Sequence, residues 1–95
     1  MSKDTLLIQA KQAVYDNLEA IQSDLNRCVA EGMIDLEDDY YNEILGLLED
    51  ARTADNWDEL LEAIIRGKTL EMGVVSWMSR HGRTTISFTW PKKPK

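Results

Sequence analysis

Between Thr5 and Ala30 apolar side chains recur at helical spacing without a break: Leu7, Val14, Leu18, Ile21, Leu25 and Cys28 follow at intervals of seven, four, three, four and three. That pattern is the seam of a helix packed lengthwise against other helices. A rod of about 26 residues is roughly 40 Å long at 1.5 Å per residue, and it cannot cover such a seam by itself. Asp4 or Thr5 caps its start, and Glu31-Gly32 ends it, glycine being the residue that accepts the left-handed turn past a helix terminus. Lys11 interrupts the seam and is expected to snorkel over its edge.

The remaining chain supplies two further rods. Asp35 is placed as a cap with Ile34 as a staple before it, and Leu36, Tyr40, Ile44, Leu47, Leu48 and Ala51 form an inward stripe. Glu37, Asp38 and Asp39 crowd the first turn, where the helix dipole favours negative charge. Asn56, with Glu59 three residues on, opens the third helix. Connections of about four or five residues favour antiparallel neighbours. The fold expected is all-α: an antiparallel up-down-up three-helix bundle over about 5–30, 36–52 and 57–79, as one domain spanning 1–79.

The third helix carries more apolar surface than one core accommodates. Trp57, Leu60, Leu61, Ile64, Ile65, Met72, Val75 and Met78 share a broad face with Lys68 in its middle, while Leu70, Val74 and Trp77 form a second stripe opposite. Either the helix breaks at Gly67 or Gly73, or the second stripe awaits a partner. Beyond Arg80 the period drops to two: Ile86, Phe88 and Trp90 alternate with Thr85, Ser87 and Thr89, as in a strand with one apolar face. The chain from 80 to 95 is therefore expected as a basic tail, strand-like or extended, that ends in Pro91-Lys92-Lys93-Pro94-Lys95 and either adds to a sheet edge of another protein or folds back onto the acidic helices of its own chain.

Charge is divided unevenly. Residues 1–65 hold sixteen Asp and Glu against four Lys and Arg, whereas residues 66–95 hold one acid, Glu71, against seven bases. The net charge of −6 hides this polarity, which places the last third in a different environment from the rest. At 95 residues the core is thin, and with Cys28 as the sole cysteine no intrachain disulfide adds to it. Cys28 falls on the seam of the first helix and reads as a buried small hydrophobe in a reducing compartment. No segment has the apolar length of a signal peptide or a membrane span, so a soluble, cytoplasmic chain is expected.

Reactive groups are sparse. His81 is the only histidine, which excludes ordinary His/Cys metal sites, and it has no evident partner for acid-base work. Asp35, Glu37 and Asp39 imitate the start of a calcium loop, but Tyr40 stands where its glycine belongs and Gly46 where its glutamate belongs. No enzyme, metal or cofactor is expected. The function expected is a non-enzymatic protein-protein interaction module, such as an adaptor, assembly chaperone or small inhibitor. It would bind another protein, or a second copy in a homodimer, through Leu70, Val74, Trp77, Ile86, Phe88 and Trp90.

Two alternatives follow from charge. Arg80, Arg83, Lys92, Lys93 and Lys95, interleaved with aromatics, suit a nucleic-acid backbone with stacked bases. The acidic helices could instead imitate DNA and occupy a basic site on another protein, although outward acids on helices are mostly solvating charges.

Overall fold

The computed structural model describes residues 3–34, 39–83 and 87–94. The expected cap at Asp35, with Leu36, Glu37 and Asp38, lies outside these residues, as do Thr85, Ile86 and Lys95. Three helices, α1 (Lys3–Ala30), α2 (Tyr40–Thr53) and α3 (Trp57–Arg80), pack pairwise against one another in an all-α arrangement measuring 45 × 24 × 15 Å.

The seam of α1 is the spine of the core. Val14, Leu18, Ile21, Leu25 and Cys28 are fully buried, with Ala10 continuing the row and Leu7 packed at its edge. Against them lie Ile44, Leu47, Leu48 and Ala51 of α2 and Leu60, Ala63, Ile64, Leu70, Val74 and Met78 of α3. At about 25 cal/mol per Å² of apolar surface, burial of each of these large side chains contributes roughly 1.5–3 kcal/mol before chain entropy is counted.

Both long helices end in the same device. Gly32, at φ +75°, donates its N–H to Val29 O while Met33 N–H reaches Cys28 O at 2.8 Å. Gly82, at φ +70°, donates to Ser79 O while Arg83 N–H reaches Met78 O at 2.8 Å. These bonds from two and three positions past the last helical residue satisfy the helix's last free carbonyls, and only glycine takes the positive φ cheaply. Arg83 then pairs with Glu31 at 2.6 Å, which ties the two helix ends together. At other heights Tyr40 meets Trp77 edge to face, and Arg66 pairs with Asp50.

The start of α3 is held as the sequence anticipates, with one shift. Asn56 is extended and its Oδ1 accepts from Glu59 N–H at 2.9 Å. Glu59 reaches back, but to the N–H of Asp55 at 2.7 Å rather than to that of Asn56.

The structure corrects the phase of α3. The helix is continuous from Trp57 to Arg80, with no break at Gly67 or Gly73. Its buried row is Leu60, Ala63/Ile64, Gly67, Leu70, Val74 and Met78, at spacings of three and four. Leu70 and Val74, expected on a free stripe, are 4% and 3% exposed and belong to the core. Ile65 and Met72, expected on the core face, are 64% and 73% exposed. Lys68, awkward on the expected core face, is on the surface.

Candidate functional site

The expected partner-binding residues divide into two groups. Leu70 and Val74 are sealed into the bundle, which removes the reason for reading them as surplus surface. Trp77 is half-buried, its ring centroid 4.7 Å from that of Tyr40 at 71°. Phe88 and Trp90 lie against the core cluster of their own chain, Trp90 only 8% exposed.

Residues 87–94 have neither helical nor strand assignment, and no strand occurs among the described residues. Their contacts trace a course back along α1 and α3. Trp90 donates its indole N–H to Glu71 Oε2 at 2.6 Å, and the Phe88 backbone N–H points to the other oxygen, Oε1, at 3.4 Å. Asn17 of α1 donates to the carbonyl of Thr89 at 2.9 Å, and Lys93 reaches Asp58 near the start of α3 at 3.4 Å. The alternation of Phe88 and Trp90 thus serves a helix-lined groove instead of a sheet. A row of alternate apolar residues needs one flat apolar wall, and helices supply one as readily as strands do.

Two residues that pattern reading passed over make this groove. Gly67 is buried without a side chain, so no count of apolar positions finds it, yet its spacing from Ala63 and Leu70 places it on the seam. Glu71 is the one acid among residues 66–95, and that isolation is the available signal for a specific role.

The basic residues are dispersed. Arg83 is engaged with Glu31 and Lys93 with Asp58. Lys92 is exposed, and Arg80 donates through Nε to Ser76 O at 3.4 Å without a carboxylate partner among the described residues. This leaves no contiguous basic track of free cations among the described residues. Electrostatic binding to a phosphate chain scales with the number of neutralised phosphates.

Chemistry is equally restrained. His81 Nδ1 lies 2.9 Å from Trp77 O, so in the Nδ1-protonated tautomer it donates to the end of α3. Cys28 is fully buried, and burial, with help from Asp24 and Glu31, holds its thiol above the usual range, where it is a poor nucleophile. Among the described residues no three His, Cys, Asp or Glu side chains gather to hold a metal ion, and no helix is long and apolar enough to cross a membrane.

Among the described residues, two surface hollows are well formed. One, of about 310 Å³, is lined by Ile8, Lys11, Gln12, Tyr15 and Arg52; the Arg52 guanidinium is already engaged by Glu49. The second, of about 320 Å³ and more polar, lies between the end of α2 and the start of α3 around Asp50, Asp55, Glu59 and Arg66.

The most exposed apolar feature of α3 is the pair Ile65 and Met72, seven residues apart and hence on one face. Lys68 and Thr69, both exposed, lie between them on that face. The chain matches no protein-family model, and neither a curated protein nor a solved structure is significantly similar to it.

Proposed function

We propose that this chain is a non-enzymatic protein-protein interaction module, acting as an adaptor, assembly chaperone or small inhibitor. The contact face is the outward side of α3 rather than the stripe through Leu70 and Val74. One observation carries the reading: Ile65 and Met72, at 64% and 73% exposure, stand on the same face of a helix whose opposite side is fully used by the core. Large apolar side chains clustered on a stable element suit a partner surface better than solvent.

The bundle beneath is read as up-down-up and serves as a rigid support. The ion pair between the ends of α1 and α3 and the contact between the start of α2 and the end of α3 support that topology. Residues 80–95 act as a tail whose part from 87 to 94 is docked on the same chain, so it stiffens the module. A reducing compartment, the cytoplasm, suits the lone buried Cys28.

A photo-reactive amino acid at position 69, between Ile65 and Met72, tests the face inside the source cell. A discrete cross-link to a polypeptide, lost when Ile65→Lys and Met72→Lys are combined without change in thermal unfolding, is the expected result. Absence of any cross-linked polypeptide, with the folded protein present, overturns the proposal.

A further inference from the structure

The groove that holds residues 87–94 has the parts of a peptide-binding site. Phe88 offers a main-chain N–H and Thr89 a main-chain carbonyl, and side chains of the helices meet both, Glu71 Oε1 at 3.4 Å and Asn17 Nδ2 at 2.9 Å. Any extended segment carries such groups, so these contacts set direction and register without reading sequence. Sequence is read at the next residue. The Trp90 ring rests on the bare backbone of Gly67, where Leu18 also approaches, and its indole N–H donates to Glu71 Oε2 at 2.6 Å.

The bundle does not need this socket in order to close. A larger apolar side chain at position 67 would fill the same space from within α3, without the helix cost of glycine and without ordering a further segment of chain. Among the buried core residues Trp90 alone comes from the tail, and the three helices pack pairwise without it. The tail, in turn, is held from outside. Among the described residues its four hydrogen bonds all run to α1 or α3, and none lies within the tail itself.

We propose that the groove between α1 and α3 is a binding site for an extended segment of another protein, of the form aromatic-x-Trp-Pro followed by lysine, and that the chain's own tail is a tethered stand-in which this segment displaces. The chemistry of the ligand is written in the stand-in. Pro91 restricts the residue before it to extended backbone, which lowers the cost of ordering the tryptophan in the socket. Sixteen acids against four bases over residues 1–65 draw a basic segment towards the helices. The grip on the tail is concentrated at Trp90 and Thr89, since Lys93 meets Asp58 only at 3.4 Å, with the two side chains 53% and 86% exposed. The tether adds no contact of its own to these; it supplies an effective concentration, of millimolar order for a short flexible link. Gly67 lies on the opposite side of α3 from Ile65 and Met72, so this site stands or falls independently of that face.

Titration of a capped peptide of residues 87–94 into the full-length Trp90→Ala chain, followed by calorimetry, reads the site. One-to-one binding is expected, at least about tenfold tighter than to the native chain, where the tethered tail competes. Adding Glu71→Ala or Asn17→Ala to that chain is expected to weaken binding about fivefold or more. Should Trp90→Ala fail to fold, Trp90→Leu, which keeps an apolar cover and lacks the indole N–H, takes its place. In the native chain, saturating peptide should turn the Trp90 indole proton from slow to fast exchange as the tail leaves. Selection of displayed random peptides on the native chain is expected to return aromatic-x-Trp sequences. Absence of peptide binding at millimolar concentration overturns the proposal, as do binding indifferent to both groove substitutions and a selected motif without tryptophan. A native dimer that is lost in the Trp90 variant would make a second copy's tail the occupant, and overturns the assignment to another protein.

Discussion

Gly67 and Trp90 are fitted to one another: a methyl group on the Gly67 Cα would stand 2.8 Å from Cη2 of the Trp90 ring and 3.2 Å from Cδ2 of Leu18. Glycine weakens a helix interior by about 1 kcal/mol relative to alanine, and here that cost admits an indole onto the helix backbone. The ring in return buries most of its surface, with roughly 3–5 kcal/mol expected to be lost on truncation to alanine.

The sign of Gly67→Ala should therefore depend on Trp90. In the native background the added methyl displaces an indole anchored by Glu71, and stability is expected to fall by about 1–2 kcal/mol. With Trp90→Ala already present, the same change gains helix propensity and is expected to raise stability by up to about 1 kcal/mol. Urea unfolding of the four proteins of this double-mutant cycle measures both. Stabilisation in the native background would mean that the ring does not rest on Gly67.

Glu71 should act as the catch of the tail. Both its oxygens face donors from the tail, the Trp90 indole N–H at 2.6 Å and the Phe88 N–H at 3.4 Å. Glu71→Ala leaves a part-buried indole donor unmet, for an expected loss of about 1–2 kcal/mol, while Glu71→Gln keeps an acceptor and loses less. In a chain ending at Arg83 the Glu71→Ala change should cost almost nothing. The indole proton of Trp90 provides a second readout, with slow exchange expected in the native protein and fast exchange in Glu71→Ala.

Much of the bundle was legible because side-chain chemistry and periodicity agreed. Val14, Leu18, Ile21, Leu25 and Cys28 sit on the seam that their spacing implies, and Asn56 caps α3 through Glu59 N–H. The phase of α3 was not legible by the same count. Its N-terminal half offers two neighbouring apolar faces, since Ile64 and Ile65 point about 100° apart, and the pattern of side chains weighs them equally. What decides between them is Gly67, which brings backbone and no side chain to the seam and lets Trp90 cover it. The tail, expected as strand-like or extended, is neither helix nor strand over residues 87–94, and the pattern is undecided there for a related reason. Alternation in Phe88 and Trp90 reports one apolar wall and is silent on whether helices or strands build it.

That phase has a direct mutational signature. Val74→Ala and Leu70→Ala remove buried methyl groups from the core and are expected to cost about 1–2.5 and 2–4 kcal/mol. Met72→Ala and Ile65→Ala remove exposed side chains and are expected to lie within about 0.5 kcal/mol of the native protein when measured on the dilute monomer. Denaturant midpoints with unchanged slopes make the comparison. A reversal, with Met72 costly and Leu70 neutral, would return α3 to the phase that its apolar count suggests.

Alkaline pH should expose the burial of Cys28. Burial first, and then the carboxylates of Asp24 and Glu31, raise its thiol above the ordinary 9.0, with Arg27 opposing them. In the unfolded chain the thiol releases its proton near that ordinary value, while the folded protein still holds it. Above about pH 9 the unfolded state thus binds fewer protons than the native state, and stability falls as pH rises. The stabilising contribution is fully present below the unfolded value and is lost between it and the higher folded one. Cys28→Ala costs packing, roughly 1 kcal/mol at neutral pH, but removes this slope, so its deficit against the native protein should shrink between pH 8.5 and 10. Urea midpoints of the two proteins across that interval report the difference, since every other ionisable group is common to both. Parallel curves would show that the thiol ionises as freely inside the bundle as outside it.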